Sequence, residues 1–239
     1  YDEAFAYCSG FDSYDNDGVA RIPNGAFYCC SGFKGEFASF YCYKSLGEYS
    51  FCGCSGFTGS LYLETRISYG SGTFAKCTGI TNLIFLDGEY YDLRSYMFQG
   101  CTGLTGDLIL PRNSNINNHA FEGCTGFNGT LRLRERISLG EYTFAGCSGI
   151  KQLIGFDGSY FPAFCFCNCT SLQGTITIAD YVTTIGDGIF CNCQSLYGIE
   201  FNEMLVSIGN MSFYNCTKFS GNLTIPPGVE FIGSEAFYN

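Results

Sequence analysis

The chain has no tryptophan, a single histidine, five prolines and three methionines, and only 14% of its 239 residues are charged. Each shortage excludes something. With one His and no second to share the work, a histidine-based metal centre or acid–base pair has nothing to be built from. No stretch is rich in Pro and Ser and none carries a charge run, so no linker is marked and one domain spanning 1–239 is expected. Lys and Arg number 12 against 22 Asp and Glu, a formal net charge of −10, and form no long basic tract. Affinity for nucleic acid and for anionic lipid both rest on neutralising phosphates, so neither partner is expected. The longest apolar runs fall short of the ~18 residues of a spanning helix, so no membrane insertion of this segment is expected. No charged start leads into an apolar segment, so no signal peptide is visible. Both ends, YDEAF and EAFYN, break off mid-pattern, and the chain reads as a piece of a longer protein.

What is abundant is Gly (32), Phe (24), Tyr (18) and Cys (16), and these recur at one period. Phe-x-x-Cys appears at Phe5/Cys8, Phe27/Cys30, Phe51/Cys54, Phe74/Cys77, Phe98/Cys101, Phe121/Cys124, Phe144/Cys147, Phe166/Cys169, Phe190/Cys193 and Phe213/Cys216, and Phe237 stands where an eleventh copy is due. Fixed spacing of this kind is the signature of a stacked-repeat architecture. Three residues after each Cys comes Phe, Leu or Ile, then an alternating pair such as Leu61/Leu63, Ile84/Leu86, Leu108/Leu110 or Leu131/Leu133. Period-two alternation predicts a short strand with one buried face. Several copies then carry Ile-Gly before the next Phe, as at Ile185-Gly186 and Ile208-Gly209. Each copy therefore reads as strand, turn, second short extended piece and a tight helical turn bearing Phe and Cys. No copy can bury its apolar face alone, so copies must stack. The expected fold is a β-rich solenoid of about ten repeats of 22–24 residues, with short parallel strands.

The stretch CTSLQGTITIADYVTTIGDGIFCNCQSLYGIEF, followed by NLTIPPGVEFIGSEAF, resembles the BspA-like leucine-rich repeats of the Treponema pallidum type, with their L-x-x-I-x-I-P-x-x-V-x-x-I-G-x-x-A-F-x-x-C signature. The match is close over 169–239 and in phase back to residue 5. Residues 9–50 fit poorly, so the coils within 1–50 are expected to be irregular. Ile-Pro survives only at Ile22-Pro23 and Ile225-Pro226, with Leu110-Pro111 similar. The resemblance implies a right-handed leucine-rich-repeat solenoid on a cell surface, adhering to host matrix proteins or to other cells, with no catalytic residues to carry over.

Ten of the sixteen Cys belong to the ladder, where they read as small buried hydrophobes with a weak donor. Stacking brings neighbours near disulfide distance, but their Cβ vectors run parallel rather than converging. The others are Cys29, Cys42, Cys52, Cys165, Cys167 and Cys191. Cys167 and Cys191 each follow the repeat Phe by one residue on adjacent coils; a disulfide between them is the alternative to two free thiols if the protein is secreted. Cys165, Cys167, Cys169, Cys191 and Cys193 cluster, but the alternating spacing is wrong for zinc ligation, so no metal is expected. Ser13-Tyr-Asp15-Asn-Asp17-Gly18 resembles the start of a calcium loop, yet its first ligand is Ser and its twelfth position Asn24 rather than Glu; it reads as an acidic turn. His119 sits alone in an Asn-rich turn. Sequons begin at Asn128, Asn168, Asn210, Asn215 and Asn222, and such short motifs arise readily in Asn- and Thr-rich repeats. No nucleophile motif, phosphate loop or dinucleotide fingerprint is present, so no enzyme and no cofactor is expected.

Arg132, Arg134 and Arg136 form the only basic cluster. They alternate with Leu131, Leu133 and Glu135, so all three are expected to point outward, with Tyr62, Phe85, Ile109 and Gly155 at equivalent places on other coils. The plain reading is a cross-strand pairing with Asp157 on the next coil. The functional reading is a protein contact site, since Arg beside aromatics favours interfaces. Two functions fit the fold: a cell-surface or secreted adhesin binding a protein partner, or a cytoplasmic scaffold or filament component with reduced cysteines.

Overall fold

The computed structural model describes residues 2–11, 20–37, 44–86, 88, 90–155 and 160–239. Asp15, Asp17, Cys42 and Asp157, on which the calcium-loop, cysteine and cross-strand readings drew, lie outside them. The chain winds into a solenoid whose coils stack two columns of parallel strands. One column contains Gly59–Leu63, Ile80–Phe85, Leu108–Ile109, Thr130–Arg132, Gln152–Ile154, Gly174–Thr177 and Leu196–Glu200. The other is built of two-residue strands: Arg21–Ile22, Ser45–Leu46, Ser68–Tyr69, Asp92–Leu93, Asn115–Ile116, Ser138–Leu139, Thr184–Ile185, Ser207–Ile208 and Phe231–Ile232. Every pairing is between neighbouring coils and parallel, as in Leu108↔Leu131 and Leu131↔Leu153. The period-two sequence pattern explains the strands: one side chain of each short strand enters the core, and the coil above covers it.

Between the columns runs one hydrophobic core, from Ile22 to Ala236. Its axis is a stack of eleven phenylalanine rings, Phe5 to Phe237, with neighbouring centroids 5.2 to 6.1 Å apart and planes within 19° of parallel. These separations exceed the ~4.8 Å coil spacing, so each ring is slipped against the next, as the aromatic quadrupole prefers. Phe27 and Phe51 stand in this stack in phase with the later copies.

The segment carrying Phe and Cys differs from expectation. Among the described residues it is not helical but a run of overlapping β-turns. Around Phe27, the amides of Ala26, Tyr28 and Cys30 donate to the carbonyls three residues back, while those of Gly25, Phe27 and Cys29 donate to Glu48, Ser50 and Cys52 of the next coil. Half of the amides thus close turns and half extend the inter-coil ladder through the corner. This alternation needs a left-handed residue two before and two after each Phe: Tyr96 and Gly100, His119 and Gly123, Tyr142 and Gly146, with φ from 55° to 72°. A helix would have turned all its amides inward along its own axis and left the next coil unpaired. Close approach also fixes one glycine type: a Cβ on Gly149 would collide with the Phe127 carbonyl oxygen of the coil below.

Candidate functional site

The ladder cysteines are committed to the core. From Cys30 on, each Sγ donates to the carbonyl of the Phe one coil back: Cys54 to Phe27 O at 3.0 Å, Cys101 to Phe74 O at 3.1 Å, Cys147 to Phe121 O at 3.1 Å, Cys216 to Phe190 O at 3.2 Å. That carbonyl already accepts the amide of its own coil's Cys, so the thiol fills its second lone pair. Leucine would fill the space without the donor, and serine would add a hydroxyl that seeks more than one partner. Burial pushes the thiols of Cys77, Cys101, Cys124, Cys169 and Cys193 well above their ordinary value, and those of Cys165 and Cys216 up to about 12. They hold no thiolate near neutral pH, which is the reactive form.

Cys167 and Cys191 stand on neighbouring coils with Cα atoms 4.6 Å apart and are joined, S–S 2.03 Å. Thirteen described cysteines, including Cys77, Cys101, Cys124, Cys147, Cys193 and Cys216, are unpaired. Among the described residues no group of three metal-ligating side chains converges. His119 lies flat between Tyr96 and Tyr142, centroids 4.6 and 4.9 Å away, and Tyr142 stacks on Phe164 at 4.9 Å. Its Nδ1 is 3.0 Å from Glu122 Oε2. All four rings occupy the left-handed place before the ladder Phe, and their mutual stacking holds them in a backbone region that bulky residues rarely adopt. Asn168, Asn192 and Asn215 line up after the Phe and bond side chain to side chain at 2.8 and 2.9 Å. The sequon residues Asn168 and Asn215 are therefore held in an amide ladder.

The surface strip of the wider strand column is the remaining candidate, and its register corrects two expectations. Tyr62 pairs with Ile84, and Leu63 with Phe85, so Phe85 is turned inward, against Tyr91 at 4.9 Å, and Leu86 is exposed. Likewise Ile154, not Gly155, occupies the place of Arg132. Both shifts have one cause. Coils such as Phe57-Thr-Gly-Ser-Leu61 carry an extra residue before the strand, admitted by a Gly with φ of 81° at Gly59 or 75° at Gly106. Ile80-Thr-Asn-Leu83 and Ile150-Lys-Gln-Leu153 lack it, so their strands begin one residue sooner. A one-residue slip moves every side chain to the opposite face.

The outward strip is then Tyr62, Ile84, Ile109, Arg132, Ile154, Thr177 and Glu200. Tyr62, Ile109 and Ile154 are 36, 45 and 39% exposed, large values for apolar side chains on a sheet. Arg132 and Arg134 are exposed and border a concavity of about 340 Å³ with Leu133, Ile154 and Gly155. A third arginine in it, Arg112, was not in the expected cluster. The register Leu108↔Leu131, carried on by the bonds Leu110 N–Arg132 O and Asn113 N–Glu135 O, sets Arg112 opposite Glu135 and Pro111 opposite Arg134 one coil on. Arg136 does not line this concavity; it sits in the following turn with φ of 57°. A second hollow of about 120 Å³ contains Glu64, buried against the Arg66 guanidinium and beneath Tyr69 and Tyr91. Among the described residues no helix is long and apolar enough to cross a membrane.

A leucine-rich repeat protein from Eubacterium ventriosum ATCC 27560 is similar in structure, 14% identical, with 93% of this chain and 81% of that one aligned at a TM-score of 0.56. A leucine-rich repeat protein from Bacteroides ovatus ATCC 8483 is 20% identical over 96% of this chain and 86% of its own, TM-score 0.49. A protein from Faecalibacterium prausnitzii A2-165 described as a leucine rich cell surface protein is 16% identical over 90% and 78%, TM-score 0.45. No curated protein matches the chain. The model of the BspA type leucine rich repeat region matches residues 1–128 and 137–239, in six copies, which takes in all the ladder positions described above. The chain belongs to the BspA-type leucine-rich repeat family.

Proposed function

We propose that this protein is a non-catalytic adhesin or ligand-binding module, displayed on a cell surface or secreted, which holds a protein partner such as a host matrix or cell-surface protein against its wider strand column. The observation that carries this reading is the contrast between fixed and varied positions. Inward places are Phe, Leu, Ile and Cys in coil after coil and are consumed by packing. Outward places run Tyr62, Ile84, Ile109, Arg132, Ile154, Thr177, Glu200, passing from aromatic and aliphatic through basic to polar and acidic, with three large apolar side chains left in water. An open strip of this kind excludes too little water for a reaction but offers area on the order of the ~800 Å² per partner of an ordinary interface. The family membership supports protein binding. The bond between Cys167 and Cys191 supports an oxidising location.

The test replaces Tyr62, Ile109 and Ile154 together by Ser and measures binding of immobilised cells and matrix proteins. These side chains face outward, so the fold is expected to survive and binding to fall at least tenfold. A wild-type protein that binds no cell, matrix or partner protein sinks the reading.

The thirteen unpaired cysteines favour the second reading, a cytoplasmic scaffold or filament component. Alkylation under denaturing conditions without reductant, followed by peptide mapping, separates the two. The expected outcome is one linked peptide through Cys167 and Cys191, with Cys77, Cys101, Cys124, Cys147, Cys193 and Cys216 alkylated. Alkylated Cys167 and Cys191 move the protein to the cytoplasmic reading. A link between any two ladder cysteines removes the thiol ladder itself.

A further inference from the structure

We propose that Arg112, Arg132 and Arg134 form a docking site for an acidic, extended stretch of a partner polypeptide. This rests on the protein-binding reading above and names the chemistry the partner brings. Three observations converge on it. The first is concentration of charge: the chain carries 22 acidic and 12 basic residues, yet three of the basic ones border a single concavity of about 340 Å³. The second is the state of two of these arginines. Arg132 and Arg134 are both exposed and have no ion-pair or hydrogen-bond partner among the described residues, and Glu135, the one carboxylate at the rim among the described residues, makes no ion pair with either. An incoming anion gains both guanidinium forks. The third is spacing. Arg132 and Arg134 are two residues apart on extended backbone, roughly 6–7 Å, the distance between alternate side chains of an extended peptide. Such a peptide can therefore set one carboxylate on each arginine.

The apolar part of the lining selects between acidic partners. Leu133 and Ile154 lie among the arginines, and Ile109 flanks Arg132 on the other side. A polypeptide brings apolar side chains at intervals that rest on these isoleucines. A sulfated polysaccharide brings charge of the same sign with nothing to cover them.

The probe is a fluorescein-labelled peptide of alternating Glu and Ile, with its Gln-for-Glu version as control, titrated by anisotropy against the intact chain. Binding is expected for the Glu peptide and absent for the Gln peptide, and it weakens as salt rises because the contacts are exposed charges. Arg132→Ser with Arg134→Ser is expected to cut affinity at least tenfold. Arg132→Lys with Arg134→Lys retains charge but loses the fork that matches a carboxylate, and is expected to fall between the two. Circular dichroism melts confirm that each variant is folded. The proposal is overturned if the folded wild type ignores the Glu peptide, if the Ser variant binds it equally, or if a sulfated oligosaccharide binds more tightly than the peptide. Retained binding to matrix or cell proteins with indifference to the peptide removes the site and leaves the protein-binding reading standing. Peptide capture by the arginines with no binding to any protein surface does the reverse.

Discussion

Replacing Phe144 by alanine is expected to destabilise the solenoid by roughly 3–5 kcal/mol, the range for emptying a buried aromatic site. Phe144 is fully buried, with Phe121 5.3 Å away on one side and Phe166 5.6 Å on the other. Neither neighbour can collapse into the gap, because each is held in its own coil by a carbonyl that accepts both an amide and a thiol, from Cys124 and Cys147 at Phe121 and from Cys169 and Cys193 at Phe166. The consequence goes beyond the number. Coils contact only their neighbours, so a weakened contact in mid-stack uncouples the two halves; the wild type is expected to unfold in one step and the variant in two. Urea denaturation followed by circular dichroism and tyrosine fluorescence checks both. A loss below about 1 kcal/mol, with one coincident transition, means that the ring is not the buried element described here.

Mild base is expected to unfold the protein. Cys54, Cys77, Cys101, Cys124, Cys147, Cys165, Cys169, Cys193 and Cys216 all have thiols raised above the ordinary value of 9 by burial, Cys165 and Cys216 to about 12. In the unfolded chain the same thiols ionise near their ordinary value. The folded state therefore binds more protons than the unfolded state above pH ~9, and stability falls as pH rises. Below that pH the contribution is fully present; above it, each thiol removes roughly 1 kcal/mol per pH unit until its folded pKa is reached. Nine thiols acting together exceed the 5–15 kcal/mol of a typical domain within a unit or two. The expected result is a steep drop in the urea midpoint between pH 9 and 10, against little change from pH 6 to 8. Replacing Cys101 and Cys124 by Ala makes that drop shallower. A flat profile through pH 10 would mean that the ladder sulfurs are accessible to water.

Much of this molecule is legible in its sequence because repeats multiply each signal. The spacing of Phe and Cys sets the coil length, and the same residues found at that spacing, Phe74 through Phe213 with Cys77 through Cys216, form the core stack. The choice of Cys167 and Cys191 as stacked neighbours follows from counting one residue past each Phe. What counting missed lies between ladder positions. The inward or outward sense of Ile84, Phe85, Ile154 and Gly155 hangs on one inserted residue, and Gly59, Gly106, Gly174 and Gly221, with φ from 75° to 92°, mark where it is admitted. Aligning the coils on their Cys hides this, since turns absorb an added residue while strands do not.

That the chain is a stack of coils around an apolar ladder follows from its residues alone, because no single copy has enough partners to bury its own Phe and Leu. Three things needed the coils to be assembled. Their assembly made the corner a chain of β-turns rather than a helix, because half of its amides have partners only once the next coil is in place. It set His119 between Tyr96 and Tyr142, a stack that exists only between coils. And it brought Arg112 to Arg132 and Arg134 while leaving Arg136 in the turn, since residues some twenty apart become neighbours only when the register of two coils is fixed.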